Sequence, residues 1–265
     1  MGTRETILRS VVIHYINEPT PIGSVQLKED LRLDISSATI RNHFKRLVDE
    51  GLLAQLHTSS GRVPTERALR RHWSETLERG VIPIASRQTL KEAAYRYGIF
   101  VRALPEVSNR ITEVINVGQR YLVVALDAGE IVLPYSKPME RFLSEFSGYE
   151  YQALYKVAKQ MGALDLAARL RALPGGPALT ANRRELIAIA YHQPQWADTH
   201  FQEVLDGGLA AGKEEGIFFD PEAPQGCMMT KHRSRLEGEE ASLFCIGSLS
   251  RNFGAFFKSL QGGGQ

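Results

Sequence analysis

The sequence predicts an α+β chain of 265 residues, helical at its start and mixed further on. Three observations predict it. Apolar residues recur at helical spacing from Thr3 to Val48, and a short apolar run, a Ser-Ser-Gly turn and a Val-Pro return follow between Leu52 and Pro64. From Tyr121 onward, strand-like and helix-like stretches alternate. With 43% hydrophobic and 23% charged residues, the chain is globular rather than disordered.

Taken in order, Thr3 to Asn17 sets Ile7, Leu8, Val11, Val12, Tyr15 and Ile16 on one broad face, a first helix. Glu18-Pro19-Thr20-Pro21-Ile22-Gly23 cannot continue it and turns. Ser24 opens a second helix through Leu31, and Leu33-Asp34-Ile35 turns into a third. There Ser36 is the expected N-cap and Gly51 the residue that turns left-handed beyond the C-terminus. Ile40, Phe44, Leu47 and Val48 form its apolar stripe. Leu52, Leu53, Gln55 and Leu56 suggest a strand, Ser59-Ser60-Gly61 a tight turn and Arg62-Val63-Pro64 the return. Pro64 closes the ribbon because it cannot donate to a ladder. In Arg70-Arg71-His72-Trp73, Trp73 is expected in the core, with the arginines as candidates for a DNA backbone.

Opposite the apolar stripe lie Ala38, Asn42, Lys45 and Arg46, with Arg41 at the edge. A small residue permits close approach, an amide suits adenine, and cations suit phosphate or guanine. A helix followed by a basic-tipped ribbon is the winged helix-turn-helix arrangement, with the helix in the major groove and the ribbon on the flanking backbone. Either half alone reads more readily as a solvated helix or an ordinary hairpin, because charged solvent faces are common. Joined behind two further helices, they predict binding to double-stranded DNA. The candidate residues are Ser37, Ala38 and Thr39 at the helix start, Arg41, Asn42, Lys45 and Arg46 along it, and Thr58, Ser59, Ser60, Gly61 and Arg62 in the wing. Net charge is only +2. Local density says more, since Arg41 to Arg71 holds seven cations (Arg41, Lys45, Arg46, Arg62, Arg67, Arg70, Arg71) against Asp49, Glu50 and Glu66.

Residues 1–77 are therefore expected to form the DNA-binding domain, 78–110 a linker with a connecting helix from Gln88 to Tyr97, and 111–265 an α+β domain. In the last, Tyr121 to Leu126 and Ile131 to Tyr135 are strands about the Asp127-Ala128-Gly129-Glu130 turn. Met139 to Leu173 is helical, interrupted at Gly148 and Gly162, and stops at Pro174-Gly175-Gly176-Pro177. Ala181 to Tyr191 is another helix. Gly216 to Phe219, Gly226 to Thr230 and Ala241 to Gly247 are later strands, and Asn252 to Leu260 a closing helix.

Pro21-Ile22-Gly23-Ser24, Ser36-Ser37-Ala38-Thr39-Ile40-Arg41-Asn42, Glu50-Gly51-Leu52-Leu53 and above all His57-Thr58-Ser59-Ser60-Gly61-Arg62-Val63-Pro64-Thr65 closely resemble the HrcA family of bacterial heat-inducible transcription repressors. Gly247-Ser248-Leu249-Ser250-Arg251-Asn252-Phe253 resembles that family's terminal segment. The resemblance implies that residues 111–265 form a GAF-like domain with an inserted dimerising segment at about 139–215. It also implies a homodimer on an inverted-repeat operator upstream of chaperone operons, repression lost on heat, and the chaperonin as a partner that helps the repressor reach its active state.

Catalysis is not expected. The seven histidines (His14, His43, His57, His72, His192, His200, His232) form no H-x-x-x-H and pair with no cysteine at ligand spacing, so neither a metal nor a cofactor is predicted. His57 suits either a phosphate at the wing or packing at its base. Asp127 and Glu130 are turn chemistry, and the glycines after Asp206 form a loop without a phosphate-binding fingerprint. Two cysteines, Cys227 and Cys245, no CxxC and no secretory signal at Met1 suit a reducing cytoplasm, and no apolar run reaches membrane-spanning length. The expected activity is repression by occupancy. The alternative is a ligand-sensing winged-helix regulator whose second domain binds a small molecule in a polar pocket around Tyr121 to Tyr135. Few convergent polar groups occur there, which favours a filled core.

Overall fold

A computed structural model describes residues 2–31, 35–57, 61–77, 80–105, 109–127, 129–173, 178–211 and 213–262. Three helices open the chain: α1 (Thr3–Asn17), α2 (Ser24–Leu31) and α3 (Ser37–Asp49). A two-stranded antiparallel ribbon, β1 (Leu53–Ala54) with β2 (Val63–Pro64), and α4 (Glu66–Thr76) follow. The expected apolar stripes are the ones that bury: Ile7, Leu8, Val11, Val12 and Ile16 from α1, Leu27 from α2, and Ile40, Phe44 and Leu47 from α3. The ribbon is shorter than the apolar run suggests. Only Leu53 and Ala54 pair, with Pro64 and Val63, while Gln55 and Leu56 lie exposed beyond the ladder.

Beyond the ribbon come β3 (Ile82–Ile84), α5 (Arg87–Tyr97), β4 (Phe100–Pro105), β5 (Ile111–Val117), β6 (Tyr121–Leu126) and β7 (Gly129–Pro134). Next are α6 (Lys137–Ser144), α7 (Tyr151–Gln160), α8 (Leu164–Ala172), β8 (Leu179–Ala181), α9 (Arg183–His192), α10 (Pro194–Asp206) and α11 (Gly208–Ala211). β9 (Gly216–Phe218), β10 (Cys227–Leu236), β11 (Glu239–Ser248) and α12 (Phe253–Ser259) complete the order. The expected break at Gly148 and Gly162 is real, because both adopt left-handed backbone, φ 83° and 74°, between α6, α7 and α8. The stop expected at Pro174 to Pro177 lies outside the described residues.

Among the described residues there are two sheets besides the ribbon. One has the order β3-β10-β11-β4-β8, with β9 also paired to β10, and the other is the meander β5-β6-β7. The strand pair read at Tyr121 to Tyr135 thus joins β5 in a small sheet of its own, apart from the later strands β9, β10 and β11. The chain divides into two compact units. The first comprises Met1–Arg102, Thr180–His232 and Leu243–Gln265, the second Ala103–Leu179 and Arg233–Ser242.

Each unit has its own core. In the second, Leu122, Val124, Leu126, Ile131 and Leu133 from the meander pack on Leu143, Leu154, Ala158, Leu166 and Leu170 from α6, α7 and α8. That face is filled with apolar side chains, as its lack of polar groups predicts. In the first, Phe100, Phe244 and Ile246 pack against Leu186, Ile189 and Val204 from α9 and α10. Asn182, with φ 55°, starts α9 and donates from Nδ2 to the carbonyls of Ala94 and Ile99 at 3.0 and 3.3 Å.

Candidate nucleic-acid interface

Local chemistry sets both ends of α3. Ser36 Oγ accepts from the Thr39 N–H at 3.0 Å, and Gly51, φ 69°, lets the N–H groups of Gly51 and Leu52 return to Val48 and Leu47 at 2.9 and 2.8 Å. With the helix rotated so that Ile40, Phe44 and Leu47 are buried, Ala38, Arg41, Asn42, Lys45 and Arg46 are left exposed. Ser37 and Thr39 are half-buried at the N-terminus. None of these side chains except Thr39, which meets Ser36, has a polar partner among the described residues.

The ribbon is tied to the connector before α2. Ile22 and Arg62 exchange both backbone hydrogen bonds, at 3.0 and 2.8 Å, adding a third short strand segment. A Cβ on Gly61 would stand 2.5–2.8 Å from backbone atoms of Ile22, so that position requires glycine. The Arg62 guanidinium sits 5.9 Å from the centre of the Phe44 ring, joining ribbon and helix by a cation–π contact. Thr65 Oγ1 closes the ribbon's foot by donating to the Gly51 carbonyl at 2.8 Å. His57 is exposed, and Thr58, Ser59 and Ser60 lie outside the described residues.

The following arginines are held by protein carboxylates. Arg70 pairs with Glu66 and stacks over Phe219 at 5.6 Å. Arg71 pairs with Glu5 at 2.6 Å and Glu75 at 2.8 Å, which together raise its pKa further. Trp73 is buried as expected, but it also does something periodicity does not reveal: its Nε1–H donates to the Leu249 carbonyl at 2.8 Å. Asn252 Nδ2 donates to Asn17 Oδ1 at 2.8 Å while its own Oδ1 caps α12 at Ala255 N, 2.9 Å. The Gly247–Phe253 segment is thus a latch on α1 and α4. The sequence signal at this place is the resemblance of Gly247–Phe253 to the terminal segment of the HrcA family.

The relatives that align with the chain are transcription repressors, regulators rather than enzymes, which sets the class. The HrcA C-terminal domain matches residues 73–263, and the chain belongs to the HrcA family. The heat-inducible transcription repressor HrcA of Helicobacter pylori strain J99 is 29% identical over 262 residues, 98% of this chain and 95% of the relative. That of Bifidobacterium longum is 40% identical over 121 residues, 42% of this chain and 32% of the relative. A crystal structure of a hypothetical protein covers 98% of this chain and 96% of its own at a TM-score of 0.55 and 17% identity, a likeness of fold.

Proposed function

We propose that this chain is a sequence-specific DNA-binding repressor of heat-shock (chaperone) genes that acts by occupying an inverted-repeat operator as a homodimer. One observation carries the reading: the exposed face of α3 presents Ala38, Arg41, Asn42, Lys45 and Arg46 beside a ribbon braced on the same helix. On this reading residues 1–77 are a winged helix, α3 its recognition helix and the segment around Gly61 its wing. Ser37, Ala38 and Thr39 position the helix start, Asn42, Lys45 and Arg41 read bases, and Arg46 meets phosphate. Thr58, Ser59, Ser60 and Arg62 grip the flanking backbone. A two-fold dimer sets two such helices one duplex turn apart on one face, so the operator is palindromic.

The rest follows the family. Residues 78–110 link this domain to a GAF-like 111–265, with a dimerising insert at about 139–215, and the protein works in the cytoplasm. Heat lowers the active fraction, and the chaperonin restores it. A nuclease footprint on DNA upstream of the cell's chaperone genes tests the core of this: a protected inverted repeat supports it, and protection no better than on random DNA sinks it. Equal operator affinity after heating and cooling, with and without chaperonin, would remove the chaperonin's part.

A further inference from the structure

Within the first unit, a cleft of about 510 Å³ opens between α1, α4, the chain at Gly80–Pro83 and α12. Its volume falls within the range of roughly 300–1,000 Å³ typical of small-molecule sites. The basic side chains around it come from three different helices: Arg9 from α1, His72 from α4 and Lys258 from α12. No described carboxylate lines it, and the nearby Glu75 is engaged by Arg71 at 2.8 Å. Arg9 and Lys258 have no ion-pair partner among the described residues. Asn17, Thr76, Asn252 and Gln261 add neutral polar side chains, and an apolar wall is made by Ile13, Val81, Phe257 and Trp73, of which Ile13 and Val81 are 41% and 54% exposed.

We infer that this cleft binds a small organic anion, an apolar body carrying one carboxylate- or sulfonate-type head. The apolar wall removes the body from water, while Arg9 and Lys258 neutralise the head without first breaking a protein ion pair. Burial and the charge of Arg9 lower the His72 pKa, and its imidazole at the cleft wall offers the head a hydrogen bond. The occupant touches α1 and α4 on one side and α12 on the other, beside the Trp73–Leu249 and Asn17–Asn252 bonds. Binding therefore stabilises the latch between the N-terminal helices and the end of the chain. This step rests on the repressor reading only in that it would make operator affinity responsive to the anion.

The test is a fluorescence titration of the whole protein with 8-anilinonaphthalene-1-sulfonate and, in parallel, its uncharged parent N-phenyl-1-naphthylamine. In a Trp196→Phe background Trp73 is the remaining indole, and energy transfer from it reports an occupant in the cleft. One sulfonate bound per chain is expected. Affinity should fall tenfold or more in Arg9→Gln/Lys258→Gln. The uncharged probe should bind this double variant as it binds the parent, and Lys91→Gln, an exposed cation outside the cleft, should change neither. Unchanged sulfonate affinity in the double variant, or equal loss of both probes, overturns the proposal. No DNA takes part, so failure here leaves the repressor reading standing and failure of that reading leaves this one.

Discussion

Asn42 and Gly61 define the residue scale, one by what it faces and the other by what it cannot carry. Asn42 is exposed on the same helix that buries Phe44, two positions on. Asn42→Ala is expected to weaken binding to the matched operator by about 1–3 kcal/mol while leaving affinity for random DNA unchanged. Titrations on both duplexes decide it, since equal losses would mean Asn42 reads no base. Arg46→Gln should instead weaken both and flatten the salt dependence. Gly61 has no room for a Cβ against the Ile22 backbone. Gly61→Ala should cost about 1–3 kcal/mol of stability, as overpacking does, seen as a lower urea midpoint. A midpoint equal to the parent's would show that the ribbon shifts freely at that point.

At the scale of elements, legibility followed pattern. α1 and α3 each carry a full apolar stripe and α3 is capped as well, so the ends and buried face of α3 are legible from Ser36, Gly51 and the spacing of Ile40, Phe44 and Leu47. The inner strands were not. β4 buries Phe100, Val101, Ala103 and Pro105 with Arg102 and Leu104 half-covered, so it lacks the apolar–polar alternation that marks a one-sided strand. β5 has the opposite fault, since six of its seven residues are exposed or half-exposed. α10 is masked by Pro194 at its start, which in a bare sequence resembles a break although proline is at home in a first turn. The small sheet of the second unit depends on the helices that cover it. Leu154 is fully buried between α7 and the meander, and Leu154→Ala is expected to lower stability by about 2–5 kcal/mol. Denaturant unfolding measures it, and a loss below that of an exposed Leu164→Ala control would mean α7 does not seal this sheet.

For the whole molecule, pH is the informative variable. His232 on β10 lies against the Phe257 ring at 4.9 Å, and burial pushes its pKa down to about 4. Unfolded, the imidazole takes up its proton near 6.5, so between those values the unfolded chain holds more protons and stability rises with pH. Its contribution is complete above 6.5 and is lost as pH falls towards 4, on the order of 3 kcal/mol. His72, also lowered by burial, acts in the same direction. Urea midpoints at pH 7 and pH 4.5 should therefore differ more in the parent than in His232→Gln. Identical differences would remove His232 as a source of acid sensitivity. Burial likewise pushes the Cys227 and Cys245 thiols, both free and in the core, up to about 12.

By itself the sequence determined the features that nearest neighbours control: the caps and stripes of the first helices, the left-handed glycines that end helices, and which face of α3 carries an amide and cations. These depend on contacts within a few residues, where spacing alone sets geometry. Only the tertiary structure decided that Arg62 rests on Phe44, that Arg70 and Arg71 are engaged by Glu66, Glu5 and Glu75, and that Trp73 and Asn17 are held by a segment some two hundred residues later. Such pairings join residues whose separation along the chain carries no period, so their partners are chosen by packing and by the need to satisfy buried polar groups.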